Sequence, residues 1–180
     1  MKSTRRKIIK KIIFSIIMAF SILSGSFLWA ANDDAKKIPA CIHCGMNRET
    51  FAHSRMLIVY NDGSKIGFCS LHCAALNMAL NLDKTPSIIG VGDYNKKQLI
   101  DAEKAVWVIG GNKQGVMTQN AKWAFAEKAD AEKYLAENGG RIVGFDEVLQ
   151  TAYEDLGRDT RMIREKRKMT KMKEMSEKIH

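Results

Sequence analysis

The sequence predicts an α+β fold built from two related small ββαβ units with antiparallel sheets, followed by a C-terminal helix. Two apolar stretches surround an Asn-Asp-Gly-Ser turn at residues 61–64, a pattern typical of a β-hairpin. Apolar residues at helical spacing follow at once. The same order recurs in the second half of the chain, where Lys122–Phe125 (KWAF) repeats the pattern of Lys65–Phe68 (KIGF). Short strand pairs alternating with single helices indicate α+β architecture.

The chain has 180 residues and begins with a basic segment followed by an apolar run over residues 12–31. A basic start, an apolar middle and a small-residue end at Ala30 and Ala31 are typical of a secretory signal. The run also approaches the ~20 apolar residues that span a bilayer, so an uncleaved inner-membrane anchor is the alternative. Residues 1–31 are therefore predicted to be a signal peptide or an N-terminal anchor. Either one places the remainder in the periplasm or another extracytoplasmic space.

The first unit is predicted at residues 32–86 and carries all four cysteines. Residues 32–40 have the composition of a short polar linker that Pro39 closes. Residues 55–60 and 65–69 form the hairpin. Ser70 is predicted to cap the following helix, which Asn81 and Pro86 end.

The second unit is predicted at residues 87–150. Its strands are expected at 87–91, within 98–109, within 116–126 and at 141–145. A helix over residues 128–138 ends at Gly139 and Gly140. Asp146 is predicted to cap a last helix. Ala126 and Asp130 stand where the first unit has Cys69 and Cys73, which suggests a duplication in which one copy kept its thiols.

Charge is concentrated at the two ends of the chain. The first eleven residues carry six positive charges, and residues 158–180 carry nine basic and four acidic residues. Because the whole chain has a net charge of +9, the stretch between them is close to neutral, at −2. No basic face with interleaved aromatic residues is present there, so nucleic acid is excluded as a partner.

Residues 151–180 are predicted to form a basic, methionine-rich helical tail. Its series Met169, Met172 and Met175 has a spacing that extracellular copper-handling proteins use. The alternative is an amphipathic helix with Met162, Met169, Met172 and Ile179 on one face. The basic surplus of the tail, like the N-terminal segment, is a candidate for contact with a membrane surface or an acidic partner.

The cysteines form two short-spaced pairs, Cys41 with Cys44 and Cys69 with Cys73. Two pairs joined by a hairpin can bring four sulfur atoms onto one metal ion. The second pair spans a strand end and the first turn of a helix, where the helix dipole favours the thiolate. Two disulfides are the alternative in an oxidising compartment. A redox role is a weaker third possibility, because the C-x-x-C does not open a helix.

Met46 follows the first pair through Gly45, which is predicted to adopt a positive φ angle. A thioether beside thiolates favours copper(I), whereas four thiolates alone suit zinc equally well. Core packing is the alternative role of Met46. His43 and His72, one inside each pair, are expected to be surface residues rather than ligands.

With CIHCGM at residues 41–46 and GVMTQNAKWAFAEKADAEKYLAENGGRIVGFDEV at residues 115–148, the chain resembles the NosL family. That resemblance implies a periplasmic copper(I)-binding accessory protein for assembly of the copper centres of nitrous oxide reductase. It also implies two ββαβ units. Cys44 and Met46 match the family's cysteine–glycine–methionine element, and Met117 matches the methionine of its second unit.

Two features depart from the family pattern. The chain lacks the cysteine that family members typically carry at the end of the signal, and Cys69 and Cys73 lie outside the general pattern. The FCSLHC motif around them is similar to the second half of YHS/TRASH heavy-metal modules.

The sequence thus predicts a non-enzymatic metallochaperone that binds copper(I), or alternatively zinc. The predicted ligands are Cys41, Cys44, Cys69 and Cys73, with Met46 and Met117 as candidate additional ligands. Its partners would be a client metalloenzyme or other assembly factors. The alternative is an interaction domain held by structural zinc or disulfides. A lyase-type enzyme with Asp130 as its acid is a third and weaker hypothesis, since fold alone does not carry function.

Overall fold

The fold is seen in a computed structural model that describes residues 33–177, so the predicted signal or anchor segment lies outside the described residues. The first sheet is antiparallel and has the strand order β2-β1-β3-β4. Its strands are β1 at Met56–Tyr60, β2 at Lys65–Phe68, β3 at Pro86–Gly92 and β4 at Leu99–Asp101. In the centre, Met56 pairs with Phe68 on one side and Val91 on the other. The apolar β1 is almost wholly buried, as its composition of Met, Leu, Ile, Val and Tyr favours.

The second sheet has three antiparallel strands in the order β6-β5-β7. They are β5 at Val106–Ile109, β6 at Lys122–Phe125 and β7 at Arg141–Val143. Each unit runs strand, strand, helix, strand, and in each the first strand lies between the second and the third. The prediction of α+β architecture with two related ββαβ units and a C-terminal helix is confirmed.

Four helices complete the described chain: α1 at Asp33–Lys37, α2 at Leu71–Leu80, α3 at Lys128–Asn138 and α4 at Phe145–Glu177. Ser70 occupies the predicted N-cap position of α2 in an extended conformation, but its side chain makes no capping hydrogen bond, and Asn81 ends that helix as predicted. Gly139, with φ of +74°, ends α3. The first half of α4 packs against α2 and β5.

The segment before the first cysteine is not a linker. It forms the short helix α1, and its Asp34 side chain is buried between the guanidinium groups of Arg48 and Arg55. The prediction failed because a polar composition was taken as evidence of exposure. Buried charges of this kind occur when they are paired and hydrogen-bonded.

Two strands, β4 and β5, lie within the stretch 98–109 and are separated by a turn, and the strand predicted within 116–126 is Lys122–Phe125. Three boundaries differ from the prediction. Asp146 lies inside the first turn of α4 rather than at its cap. Residues 87–101, assigned to the second unit from the sequence, belong to the first sheet, and α4 runs unbroken through residues 150 and 151.

Both sheets contribute to one apolar core, which includes Cys41, Cys69 and Cys73. The units are joined by a bridge between Asp93 and Ala124. The Asp93 carboxylate also accepts a hydrogen bond from the Ala126 N–H at 2.7 Å. Within residues 33–177, no helix has the length and apolar character needed to cross a membrane.

Candidate metal centre

The first cysteine pair lies on a tight loop whose backbone is hydrogen-bonded. The Cys41 N–H donates to the Met46 carbonyl, and the Gly45 N–H donates to the Cys41 carbonyl, both at 2.9 Å. Gly45 has φ of +75°, the left-handed conformation predicted for it, which glycine adopts without a steric penalty. The Ile42 N–H donates to the Gly67 carbonyl at 3.3 Å and thereby fastens the loop to β2.

The second pair lies at the junction of the hairpin and α2. Cys69 directly follows β2, and Cys73 lies in the first turn of α2. The Ser54 hydroxyl donates to the Cys69 carbonyl at 2.9 Å and holds the junction in place. Both thiols therefore lie near the positive end of a helix dipole, where the thiolate form is favoured.

The fold brings the four sulfur atoms together. The Sγ atoms of Cys44 and Cys69 lie 3.4 Å apart, those of Cys69 and Cys73 lie 3.8 Å apart, and all four lie within 4.8 Å of one another. A tetrahedral thiolate site with metal–sulfur bonds of about 2.3 Å has sulfur–sulfur distances of about 3.8 Å. All four cysteines are free thiols. The cluster thus has the dimensions of a site for one metal ion.

The four thiols hydrogen-bond to one another, and these bonds shift the pKa values of the two cysteine pairs in opposite directions. Hydrogen bonds from Cys44, Cys69 and Cys73 lower the pKa of Cys41. The contact with Cys41 opposes the shift of Cys44, but hydrogen bonds from Cys69 and Cys73 lower its pKa to about 7. Hydrogen bonds to Cys41 and Cys44 raise the pKa of Cys69 and of Cys73. At Cys69 and Cys73 the effect of the neighbouring thiols on the pKa therefore opposes that of the helix dipole.

The cluster is open to solvent on one side. Cys41, Cys69 and Cys73 are buried, whereas Cys44 is half-buried. Ile42, on the same loop, is 65% exposed. An ion entering or leaving the cluster therefore meets Cys44 first.

The two histidines differ in their surroundings. His43 is half-buried; its Nε2 lies 3.1 Å from the Asn77 side-chain oxygen, and its ring stacks on Phe68. His72 is buried, with Nδ1 3.6 Å from an Asp159 carboxylate oxygen on α4. Burial lowers the pKa of His72. Neither belongs to the group of converging ligand atoms, but the expectation that His72 lies on the surface is wrong, because α4 covers it.

Both candidate methionines are half-buried against the core that contains the thiols. Met46 is fixed by its backbone bond to Cys41. Met117 has φ of +61°, a left-handed conformation that costs a residue other than glycine roughly 1–2 kcal/mol. Strained conformations of this kind are common at functional sites. Their role as ligands stays a prediction.

A buried arginine connects the loop, the hairpin and α1. Arg48 donates to the Phe68 carbonyl at 3.2 Å, to the Ile38 carbonyl at 2.7 Å and to the Asp34 carboxylate at 2.7 Å. Its positive charge interacts favourably with Cys41. Arg48 therefore fixes the walls of the cluster and supports a thiolate there.

This network was missed from the sequence. Arg48 lies only two residues after Met46, at the end of the cysteine loop, and Arg55 directly precedes a buried strand. Two arginines flanking so apolar a stretch were the available signal, but their partner Asp34 lies in a segment with the composition of a linker.

In the second unit, Ala126 and Asp130 occupy the positions of Cys69 and Cys73 relative to the strand and helix. Within residues 33–177, the four cysteines are the group of three or more potential ligand side chains close enough to share an ion, and Asp130 is not part of it. The thiol cluster is therefore confined to the first unit.

The model of the NosL family matches residues 34–153, which includes both sheets and begins at the buried Asp34. The chain belongs to the NosL family. The match ends within α4, so the distal part of that helix lies beyond it. The similarity of the second cysteine pair to YHS/TRASH modules stays a prediction.

Among solved structures, the chain is similar to one described as the copper chaperone NosL from Shewanella denitrificans. The two share 24% sequence identity, with 60% of this chain and 87% of that chain covered and a TM-score of 0.47. No curated protein matches this chain.

Proposed function

We propose that this member of the NosL family is an exported, non-enzymatic carrier of copper(I). The observation that carries the proposal is the convergence of four free thiols within 4.8 Å, with one of them open to solvent. Copper(I) is the cargo and is held by Cys41, Cys44, Cys69 and Cys73, with the Met46 and Met117 thioethers as additional ligands. Thiolates and thioethers together select soft monovalent copper.

Metal binding requires deprotonated thiols, so the affinity of the cluster for copper(I) or zinc falls as the pH drops and the thiolates protonate.

Transfer proceeds by ligand exchange at the open side. A sulfur or nitrogen lone pair of the acceptor forms a bond to copper, and the bond from copper to Cys44 breaks. Further acceptor ligands then replace the remaining bonds from copper to this chain one after another, until the ion is held by the acceptor alone. The released thiolate then takes up a proton from water. Copper stays in the +1 state, so no electron donor or acceptor is required.

The acceptor is a periplasmic metalloenzyme or another assembly factor, and nitrous oxide reductase is the client that family membership favours. Export follows from the apolar run 12–31 and its basic start. Contact of the basic tail with anionic lipid is a separate prediction.

The test is metal content and exchange in protein purified anaerobically from the periplasm. The proposal expects about one copper per chain, four free thiols without disulfides after metal removal, and transfer of copper to an acceptor with soft ligands. Tightly bound zinc that copper(I) does not replace would contradict it and support a structural-zinc interaction domain. Two disulfides and no metal would contradict the proposal and support an interaction domain held by disulfides.

A further inference from the structure

The distal segment of α4, residues 161–177, has no role in the thiol site. The buried residues of the helix end at Asp159, and beyond it only Thr160, Met162 and Ile163 are partly buried. The remaining residues through Glu177 are exposed. The segment also lies beyond the range that the NosL family model matches. Neither core packing nor the family fold therefore explains its composition.

Three methionines of this segment, here called the methionine stripe, are Met169, Met172 and Met175. Their exposed fractions are 66%, 60% and 57%. Spacing of three residues places consecutive members about 5–6 Å apart at Cβ on one side of the helix. At about 100° per residue, the stripe is centred roughly 130° around the axis from the buried face at Val148 and Asp159. The stripe is thus not an extension of the face that packs on the body.

The chemistry of the stripe is unusually uniform. Residues 161–177 contain no cysteine or histidine, so thioethers are their soft ligands. Methionine side chains have three rotatable bonds, which lets sulfur atoms on successive turns converge. Thioethers select copper(I) or its analogue silver(I), whereas zinc prefers thiolate, imidazole or carboxylate ligands.

We propose that Met169, Met172 and Met175 form a second site for a soft monovalent ion, separate from the four thiols. The site is weaker than the thiol cluster, because neutral thioethers replace thiolates. Its occupancy does not require deprotonation, so it persists at a pH that empties the thiols. Lys168, Lys171 and Lys173 lie in the same turns and repel the cation, so binding strengthens as added salt screens them. This goes beyond the proposed function and does not depend on it.

The test uses the full chain with methyl-¹³C methionine and silver(I) as the probe, added after one equivalent of copper(I). The expected result is that the methyl signals of the three stripe residues shift together, while that of Met162 stays in place. The triple variant M169L/M172L/M175L loses this second equivalent. Leucine keeps the apolar surface and the helix propensity, so the loss reports on sulfur.

The matched control is M162L, because Met162 lies seven residues, or about 10.5 Å along the axis, from Met169. It should keep the second equivalent. Unmoved stripe signals, or an unchanged second equivalent in the triple variant, would overturn the proposal. If the wild-type protein does not bind the first equivalent of copper(I) but still shows the shifts of the stripe signals, the result counts against the thiol site and not against the methionine stripe.

Discussion

Arg48 and Asp34 form an ion pair of 2.7 Å in which the arginine side chain is fully buried and the aspartate side chain is 7% exposed. The same carboxylate also accepts hydrogen bonds from Arg55 at 2.9 Å and 3.1 Å. One acidic residue before the cysteine loop thus holds two arginines, and one of them, Arg48, also donates to the Phe68 carbonyl next to Cys69. The walls of the candidate site depend on a segment that contains no ligand.

The substitution D34N should destabilise the protein by about 3–5 kcal/mol, because it leaves buried guanidinium charge without its carboxylate. Urea unfolding of the metal-free protein measures the change. The control D33N lies on the same helix, where Asp33 makes only an exposed pair with Lys37, and should unfold like wild type. Equal stability of the two variants would show that the pair does not stabilise the fold.

Gly92 and Gly157 predict opposite responses to alanine. A Cβ at Gly92 would lie 2.0 Å from the Ala52 carbonyl oxygen, so G92A should cost about 1–3 kcal/mol or more as the backbone shifts. A Cβ at Gly157, inside α4, meets nothing within 4 Å. G157A should therefore stabilise the helix by up to about 1 kcal/mol. Thermal unfolding of both variants gives the comparison.

Alkylation of the metal-free protein should be fastest at Cys44, because it is the half-buried thiol and its pKa is about 7. Its reactivity should rise with pH through about 7, since the thiolate is the reactive form, and fall below that pH as the thiol protonates. Mass spectrometry after timed iodoacetamide pulses reports each site. Faster modification of Cys69 or Cys73 would contradict the assigned opening of the cluster.

The substitutions M46L and M117L should each weaken copper(I) binding while leaving zinc affinity nearly unchanged, because only copper(I) gains from a thioether. Leucine conserves volume, so stability should change by less than about 1.5 kcal/mol. M78L is the control, since Met78 is also half-buried against the same core. Competition with a chromophoric copper(I) chelator measures the affinities. Copper(I) affinities that are the same for M46L, M117L and M78L would show that Met46 and Met117 are not ligands.

The fold was predictable where local patterns were strong. The Asn-Asp-Gly-Ser turn and the apolar β1 defined the hairpin, and the helix pattern after Ser70 defined α2. The repeat of Lys65–Phe68 at Lys122–Phe125 is reflected in two sheets in which the first three strands of each unit have the same order. These features depend on short-range periodicity, which the sequence displays directly.

What could not be predicted depends on contacts between distant residues. The sequence around Asp34 has the composition of a linker, and only the structure shows its ion pairs with Arg48 and Arg55. His72 was expected at the surface, but Asp159, far along the chain on α4, lies against it. Spacing suggested that two cysteine pairs could meet, yet the 3.4 Å approach of Cys44 to Cys69 follows from the register of the hairpin.

X-ray absorption spectroscopy on protein carrying one equivalent of copper(I) tests the central claim most directly. We predict that sulfur ligands from both cysteine pairs surround the ion, so that C69S/C73S and C41S/C44S each lower the number of sulfur neighbours. A copper environment that is the same in wild type and in either double variant would contradict a site shared by the two pairs.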